Sequence, residues 1–202
     1  MEGALRDAFG VTAPTHGIPY AGRTDRAIAE DLFRYHDVEV TEERWDFFRK
    51  TYLELLRICL QDRSGVVLPG VQELLDHLAG RNEIVIGLLT GNIRDGAYRK
   101  LSHFSLDNYF TFGGFGDNHT DRDDVARSAL QVVAKETNNG FHPDRLWVIG
   151  DTPADVKCGK AIGAKTIAVA TGTHSRSELQ SNSPDLTLTD LTCLDRLTEL
   201  WS

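Results

Sequence analysis

Trp147–Asp155 reads WVIGDTPAD. The apolar run Leu146–Ile149 has the length and content of a strand buried on both faces, and it ends at Gly150-Asp151. A second carboxylate, Asp155, follows four residues after the first, at the turn from strand to helix. Two carboxylates so placed can face one point in space, and oxygen ligands of that kind suit Mg²⁺, which keeps several waters and bridges to phosphate. The same pair also reads as helix capping by Asp151 with Asp155 on the helix dipole.

Outward from this segment, strand and helix patterns alternate. Glu83–Leu89 (EIVIGLL) is a second nearly continuous apolar run, ending in Thr90-Gly91-Asn92. The spacing predicts helices over about 71–79, 93–102, 123–137 and 154–162, strands over 165–170 and 186–189, and a terminal helix to Leu200. Such alternation over residues 66–202 argues for an α/β, Rossmann-like parallel sheet flanked by helices. Ligands of these sheets sit beyond the C-terminal ends of the strands. Residues 1–65 read differently. Residues 24–35 start at a possible cap, Thr24, and residues 41–60 repeat Trp45, Phe48, Tyr52, Leu55, Leu56 and Cys59 at helical spacing. No strand is expected before residue 66. The expected organisation is therefore a helical unit over 1–65 and an α/β core over 66–202.

Composition narrows the function classes. With 41% hydrophobic and 26% charged residues the chain has a globular balance. A net charge of −8 argues against nucleic acid or an anionic membrane as the main partner. No apolar run approaches the ~20 residues of a membrane span, and the N-terminus lacks the pattern of a secretory signal. Cys59, Cys158 and Cys193 fit no zinc spacing and are expected to be reduced thiols in a cytoplasmic protein.

Two further strand ends carry polar residues. At Thr90-Gly91-Asn92 a hydroxyl and backbone N–H groups before a helix suit a phosphate oxygen, although Thr90 also reads as a plain N-cap. In Asp117–Asp124 (DNHTDRDD) one cation, Arg122, stands among aspartates, as a phosphate clamp or as part of a solvated acidic turn.

Taken together, Thr90, Arg122 and the GD-x-x-x-D of Gly150–Asp155 resemble, in order and separation, the second, third and fourth motifs of the haloacid dehalogenase superfamily of phosphatases. The turn Leu68–Val71 and the stretch KCGKAIGAKTIAVATG look like phosphoglycolate phosphatase-like members, and the N-terminal third with Gly22-Arg23-Thr24-Asp25 looks like their small helical cap. The resemblance implies a Mg²⁺-dependent phosphatase of small phosphorylated metabolites. It implies that Thr90, with the N–H groups of Gly91 and Asn92, binds the phosphoryl oxygens, and that Arg122 holds the phosphate. The family usually carries Lys there; Arg offers a planar fork instead of a point charge. It further implies that Asp151 and Asp155 bind the metal, Asp155 directly or through water, and that the cap closes over substrate through Arg23.

One element of the resemblance is missing. The family's chemistry starts at D-x-D-G-T after the first, central strand, whose leading Asp attacks phosphorus. Here Asp7, Asp25 and Asp31 come earliest, and none follows an apolar strand. The chain is expected to begin inside the cap, through a truncated gene model, and to be inactive or impaired as it stands. A non-catalytic paralogue that binds phosphate and metal is the alternative. Dehalogenation at carbon, which needs no metal, is a third reading that the carboxylate pair disfavours. Without its central strand the sheet would expose unpaired backbone groups, each costing about 1–3 kcal/mol if buried, against a typical stability of about 5–15 kcal/mol.

Overall fold

The computed structural model describes residues 1–202 except Arg63, Asn139 and Ser202. Helices α1 (Glu2–Phe9), α2 (Asp25–Tyr35) and α3 (Glu42–Asp62) come first, and no strand precedes them among the described residues. Thr24 caps α2 by accepting the Ala27 N–H, and Thr41 does the same for Arg44 at the start of α3. Their apolar faces meet in one cluster: Leu5, Ile28, Leu32, Phe33, Trp45, Phe48 and Leu53, joined by Ile93 from the following unit. Phe33 packs edge-on against both Phe9 and Phe48 at 5.3 Å between ring centroids. On the outer surface Arg26 pairs with Glu30 and Glu42, and Arg34 with Glu30 and Asp31.

The remainder alternates: α4 (Val71–Ala79), β1 (Leu88–Leu89), α5 (Arg94–His103), β2 (Gly113–Gly114), α6 (Arg122–Glu136), β3 (Trp147–Gly150), α7 (Pro153–Ala161), β4 (Lys165–Val169), α8 (Arg176–Ser181), β5 (Leu186–Leu188) and α9 (Leu194–Thr198). Every strand pairing is parallel, so the architecture is the expected Rossmann-like α/β arrangement. Strand β4 shows why both faces are covered. Ile167 and Val169 point to α4 and α9, while Ala168 points to Val156 of α7 and Leu179 of α8. That alternation is the period-two geometry of a strand.

Two expectations need correction. The apolar run Glu83–Leu89 reads as a strand buried on both faces, but the ladder covers only Leu88–Leu89 and Val85 is 52% exposed. The reason is the short partner: β2 is two glycines, and its contacts end with Leu88 N–H to Phe112 O and Thr90 N–H to Gly114 O. Ile149, expected to be buried in β3, is 37% exposed. In addition, the parallel strands form two hydrogen-bonded pieces, β1-β2 and β3-β4-β5. Among the described residues no ladder joins β1 or β2 to β3, β4 or β5. The two pieces are held together by helices: α6 packs on β1 and β2, α7 on β3 and β4, and α6 on α7. Gly114 allows the first of these contacts, since a Cβ there would stand 2.7 Å from the Ala129 Cβ.

Phe33 is fully buried at the centre of the N-terminal cluster. Phe33→Ala is expected to cost about 3–5 kcal/mol, measured by urea denaturation; a loss under about 1 kcal/mol would show that the cluster is not a packed core.

Candidate active site

The loops that follow β1, β2, β3 and β4 lie at the same end of the parallel strands, and the loop Gly22–Asp25 reaches across them. Thr90 donates its backbone N–H to β2 (3.1 Å to Gly114 O), and its hydroxyl accepts the Asn92 N–H at 3.2 Å. It is therefore not the N-cap of α5; that position belongs to Ile93. The N–H groups entering α5 are each bonded to a side chain. Asn92 is held by Thr90, Ile93 by Asp25 Oδ2 at 2.9 Å, and Arg94 by Asp117 Oδ2 at 2.8 Å. Carboxylates at a helix N-terminus are favoured by the orphan N–H groups and the dipole.

Gly91 has its own reason. A Cβ there would lie 2.2 Å from the Arg23 carbonyl oxygen, and one on Gly116 would lie 2.0 Å from the Gly91 oxygen. Three backbone segments thus touch with no room for a side chain.

Arg122 opens α6, behind the N-cap Asp121. Its Nη2 meets Asp155 Oδ1 at 2.5 Å, with 10% and 14% of the two side chains exposed. The other Asp155 oxygen accepts from the Thr152 N–H at 3.1 Å and the Thr152 hydroxyl at 2.8 Å. This completes a reciprocal capping box with Thr152, so the cap of α7 is Thr152 and not Asp151. Both oxygens of Asp155 are committed. Arg122 Nε and Asp123 Oδ1 are buried without a hydrogen-bond partner among the described residues.

Asp151 follows β3. Burial, and then the neighbouring Asp155 carboxylate, push its pKa up, while His174 and Arg122 pull it down. The loop after β4 comes so close that a Cβ on Gly172 would lie 2.1 Å from Asp151 Oδ2. A hard oxygen donor in a site where negative charge is disfavoured suits a divalent cation, so Asp151 fits Mg²⁺ as one ligand. Asp155 does not fit as a direct ligand while Arg122 and Thr152 hold it. The described residues contain no group of three or more His, Cys, Asp or Glu side chains able to hold a metal.

Arg23 turns back on its own helix, donating to Asp31 Oδ2 at 2.7 Å and to Pro19 O at 3.3 Å. It still lines a cavity of about 380 Å³ together with Gly22, Arg122, Ala154 and Lys157. The structure thus gathers Arg23 and Arg122 in one cavity, whose lining does not include Thr90, Asp151 or Asp155. Lys100, which bonds Asn92 Oδ1 at 2.8 Å, escaped the reading of the sequence, as did the bonding partners of Asp25, Asp117 and Thr152. Asp25 and Asp117 bond 68 and 23 positions away, which no local pattern marks, whereas the Thr152–Asp155 capping box is local. The three cysteines are free thiols, and no helix among the described residues is long and apolar enough to cross a membrane.

The Arg122–Asp155 pair is mostly buried. Asp155→Ala leaves Arg122 uncompensated and removes a helix cap, with an expected loss of about 3–5 kcal/mol. The double replacement Arg122→Met with Asp155→Ala should cost less than the single change. Thermal and urea unfolding of the two variants checks both statements, and a single variant as stable as the wild type would contradict them.

Comparison with known proteins gives a consistent setting. Residues 123–194 match the HAD-hydrolase-like family. A phosphoglycolate phosphatase from Aquifex aeolicus is 27% identical over 183 residues, covering 87% of this chain and 75% of its own length. The crystal structure of a hydrolase from Pseudomonas syringae superposes with a TM-score of 0.71 at 22% identity, covering 98% of this chain and 88% of the other. That of a predicted phosphoglycolate phosphatase from Haemophilus somnus 129PT gives 0.70 at 16% identity, covering 97% and 87%. With parallel strands ending in Thr90 and Gly150-Asp151, and helices on both faces, the chain has the fold of these structures, and its residues 123–194 are similar to the haloacid dehalogenase-like hydrolases.

Proposed function

We propose that this chain carries the phosphate-binding and metal-facing side of a phosphatase centre for small phosphate esters. Thr90, Gly91 and Asn92 receive the phosphoryl oxygens, Arg122 offsets their charge, and Asp151 holds Mg²⁺ together with waters and the ester itself. When bound, the metal supplies neutralising charge at the phosphate. Asp155 acts one step back: it fixes the direction of the Arg122 guanidinium and the start of α7. Arg23 lies at the rim, where release from Asp31 would let it face a substrate.

The observation that carries this reading is Arg122. A guanidinium held between two helix N-termini, with Nε buried and unpaired, is a donor that an anion would satisfy. An orphan of this kind costs about 1–3 kcal/mol, which a bound phosphate would recover. The phosphatase name of the Aquifex aeolicus relative supports a phosphate ester as the ligand.

Among the described residues no strand precedes the N-terminal helices to carry a carboxylate at its end, where the resemblance puts the attacking Asp. Binding without turnover is therefore the expected behaviour of the chain as given. Titration calorimetry with inorganic phosphate, with and without Mg²⁺, tests the reading. Wild type is expected to bind. Thr90→Ala and Arg122→Ala are each expected to weaken binding about tenfold or more, and Asp151→Asn should abolish the effect of Mg²⁺. Equal affinity in wild type, Thr90→Ala and Arg122→Ala would remove the proposed site. Hydrolysis of p-nitrophenyl phosphate by the chain would remove the expectation of binding without turnover.

A further inference from the structure

We propose that Asp25 is a positioning residue: it latches the loop Gly22–Asp25 onto the Thr90–Ile93 loop and thereby sets where Thr90 stands relative to Asp151. The role rests on the reading of Thr90–Asn92 as a phosphate loop.

The bonds run in both directions. The Asp25 backbone N–H donates to Gly91 O at 2.7 Å. Its carboxylate accepts the Ile93 N–H at 2.9 Å and the Asn92 Nδ2 at 3.5 Å. Asn92 is held from the other side by Lys100 Nζ, and its carbonyl accepts the Gly116 N–H at 2.8 Å. The chain Asp25–Asn92–Lys100 fixes the loop on two flanks.

Asp25 is 4% exposed and Thr24 is fully buried. Burying a carboxylate is costly unless its oxygens are bonded, and the cost shows here as a pKa pushed up by burial. The groups that face it are Lys100 and the chain's amino terminus, which oppose that rise, and Asp117, which adds to it. As the first residue of α2, Asp25 would serve the helix dipole equally well while pointing into solvent. Its carboxylate instead leaves its own helix and bonds across 68 positions of sequence.

The same loop has a second anchor. Gly22, at φ 71°, lies so near α7 that a Cβ there would stand 2.8 Å from the Ala154 Cβ and 3.2 Å from Thr152 Oγ1. Residues 22–25 therefore touch the end of β1 on one side and the residues after β3 on the other. No ladder joins those two strands, so the spacing between the Thr90 loop and Asp151 depends on what bridges them. The bridges are the α6–α7 contact and this loop, and Asp25 is the bond that closes the loop onto β1.

The test uses the full chain with Asp25→Ala, Asp25→Asn and Asp25→Glu. It reads two quantities: amide hydrogen exchange at Ile93 and the affinity for inorganic phosphate, with unfolding midpoints to confirm that each variant is folded. Asp25→Asn keeps an acceptor of the same shape and is expected to stay near wild type in both. Asp25→Glu keeps the charge, but its extra methylene displaces the carboxylate from the Ile93 N–H that it accepts at 2.9 Å. It is expected to lose Ile93 protection and about tenfold in phosphate affinity, as is Asp25→Ala. If Asp25→Ala does not fold, the Asn and Glu variants carry the comparison. Protection and affinity equal in the Glu variant and wild type would overturn the proposal. So would lost protection with unchanged affinity, because Asp25 would then be only a structural contact. If phosphate binds in wild type and in Thr90→Ala alike, the phosphate-loop reading fails, and the positioning role fails with it even where Ile93 exchange confirms the bond.

Discussion

The Arg122–Asp155 ion pair joins the first turn of α6 to the first turn of α7. Because α6 covers β1 and β2 while α7 covers β3 and β4, this contact also ties together two parallel pieces that share no hydrogen-bond ladder. In an unbroken sheet, backbone bonds would fix the spacing of the strand ends. Here the spacing is passed to side chains and to tight backbone contacts between helices and loops. The arrangement of the candidate site is therefore a consequence of polar groups that in another setting would only cap helices.

That dual use changes what the residues can do. Asp155 is at once the N3 member of a capping box and the partner of Arg122, so its charge is balanced within the protein. Asp151 instead sits where burial first, and then the Asp155 carboxylate, push its pKa up. The two carboxylates look equivalent in the sequence, and their surroundings make one a brace and the other a candidate metal ligand. Arg122 is likewise half committed, with Nη2 on Asp155 and Nε unpaired.

How much of this was legible in the sequence follows from the range of each interaction. Thr24 and Thr41 announce their helices because a cap bonds two or three residues ahead. Strand β4 is legible because Ile167, Ala168 and Val169 are consecutive apolar residues buried under helices on both faces. Thr90, Arg122, Asp151 and Asp155 stood out because polar residues at the ends of apolar runs are few. The limits of β1 were not legible, since they are decided by its two-residue partner β2. Nor was the commitment of Asp155 to Arg122, or the reach of Asp25 to Ile93, for each depends on where a distant segment lies in space. An acidic residue at the start of a helix, such as Asp25, reads as an ordinary dipole partner until its carboxylate is seen to bond elsewhere.

The contrast between the buried Asp25 and the ion pairs on the outside of α2 has a consequence for ionic strength. Arg34 and Glu42, 58% and 74% exposed, form the open ends of the pairs with Glu30 and Arg26, where salt at about 0.15 M screens charges over a Debye length near 8 Å. The Asp25–Ile93 bond lies inside, away from mobile ions. Concentrated salt therefore weakens the outer side of the N-terminal helices while leaving their hold on the β1 loop intact, so the surface of that unit and its seat on the core answer to different solvents.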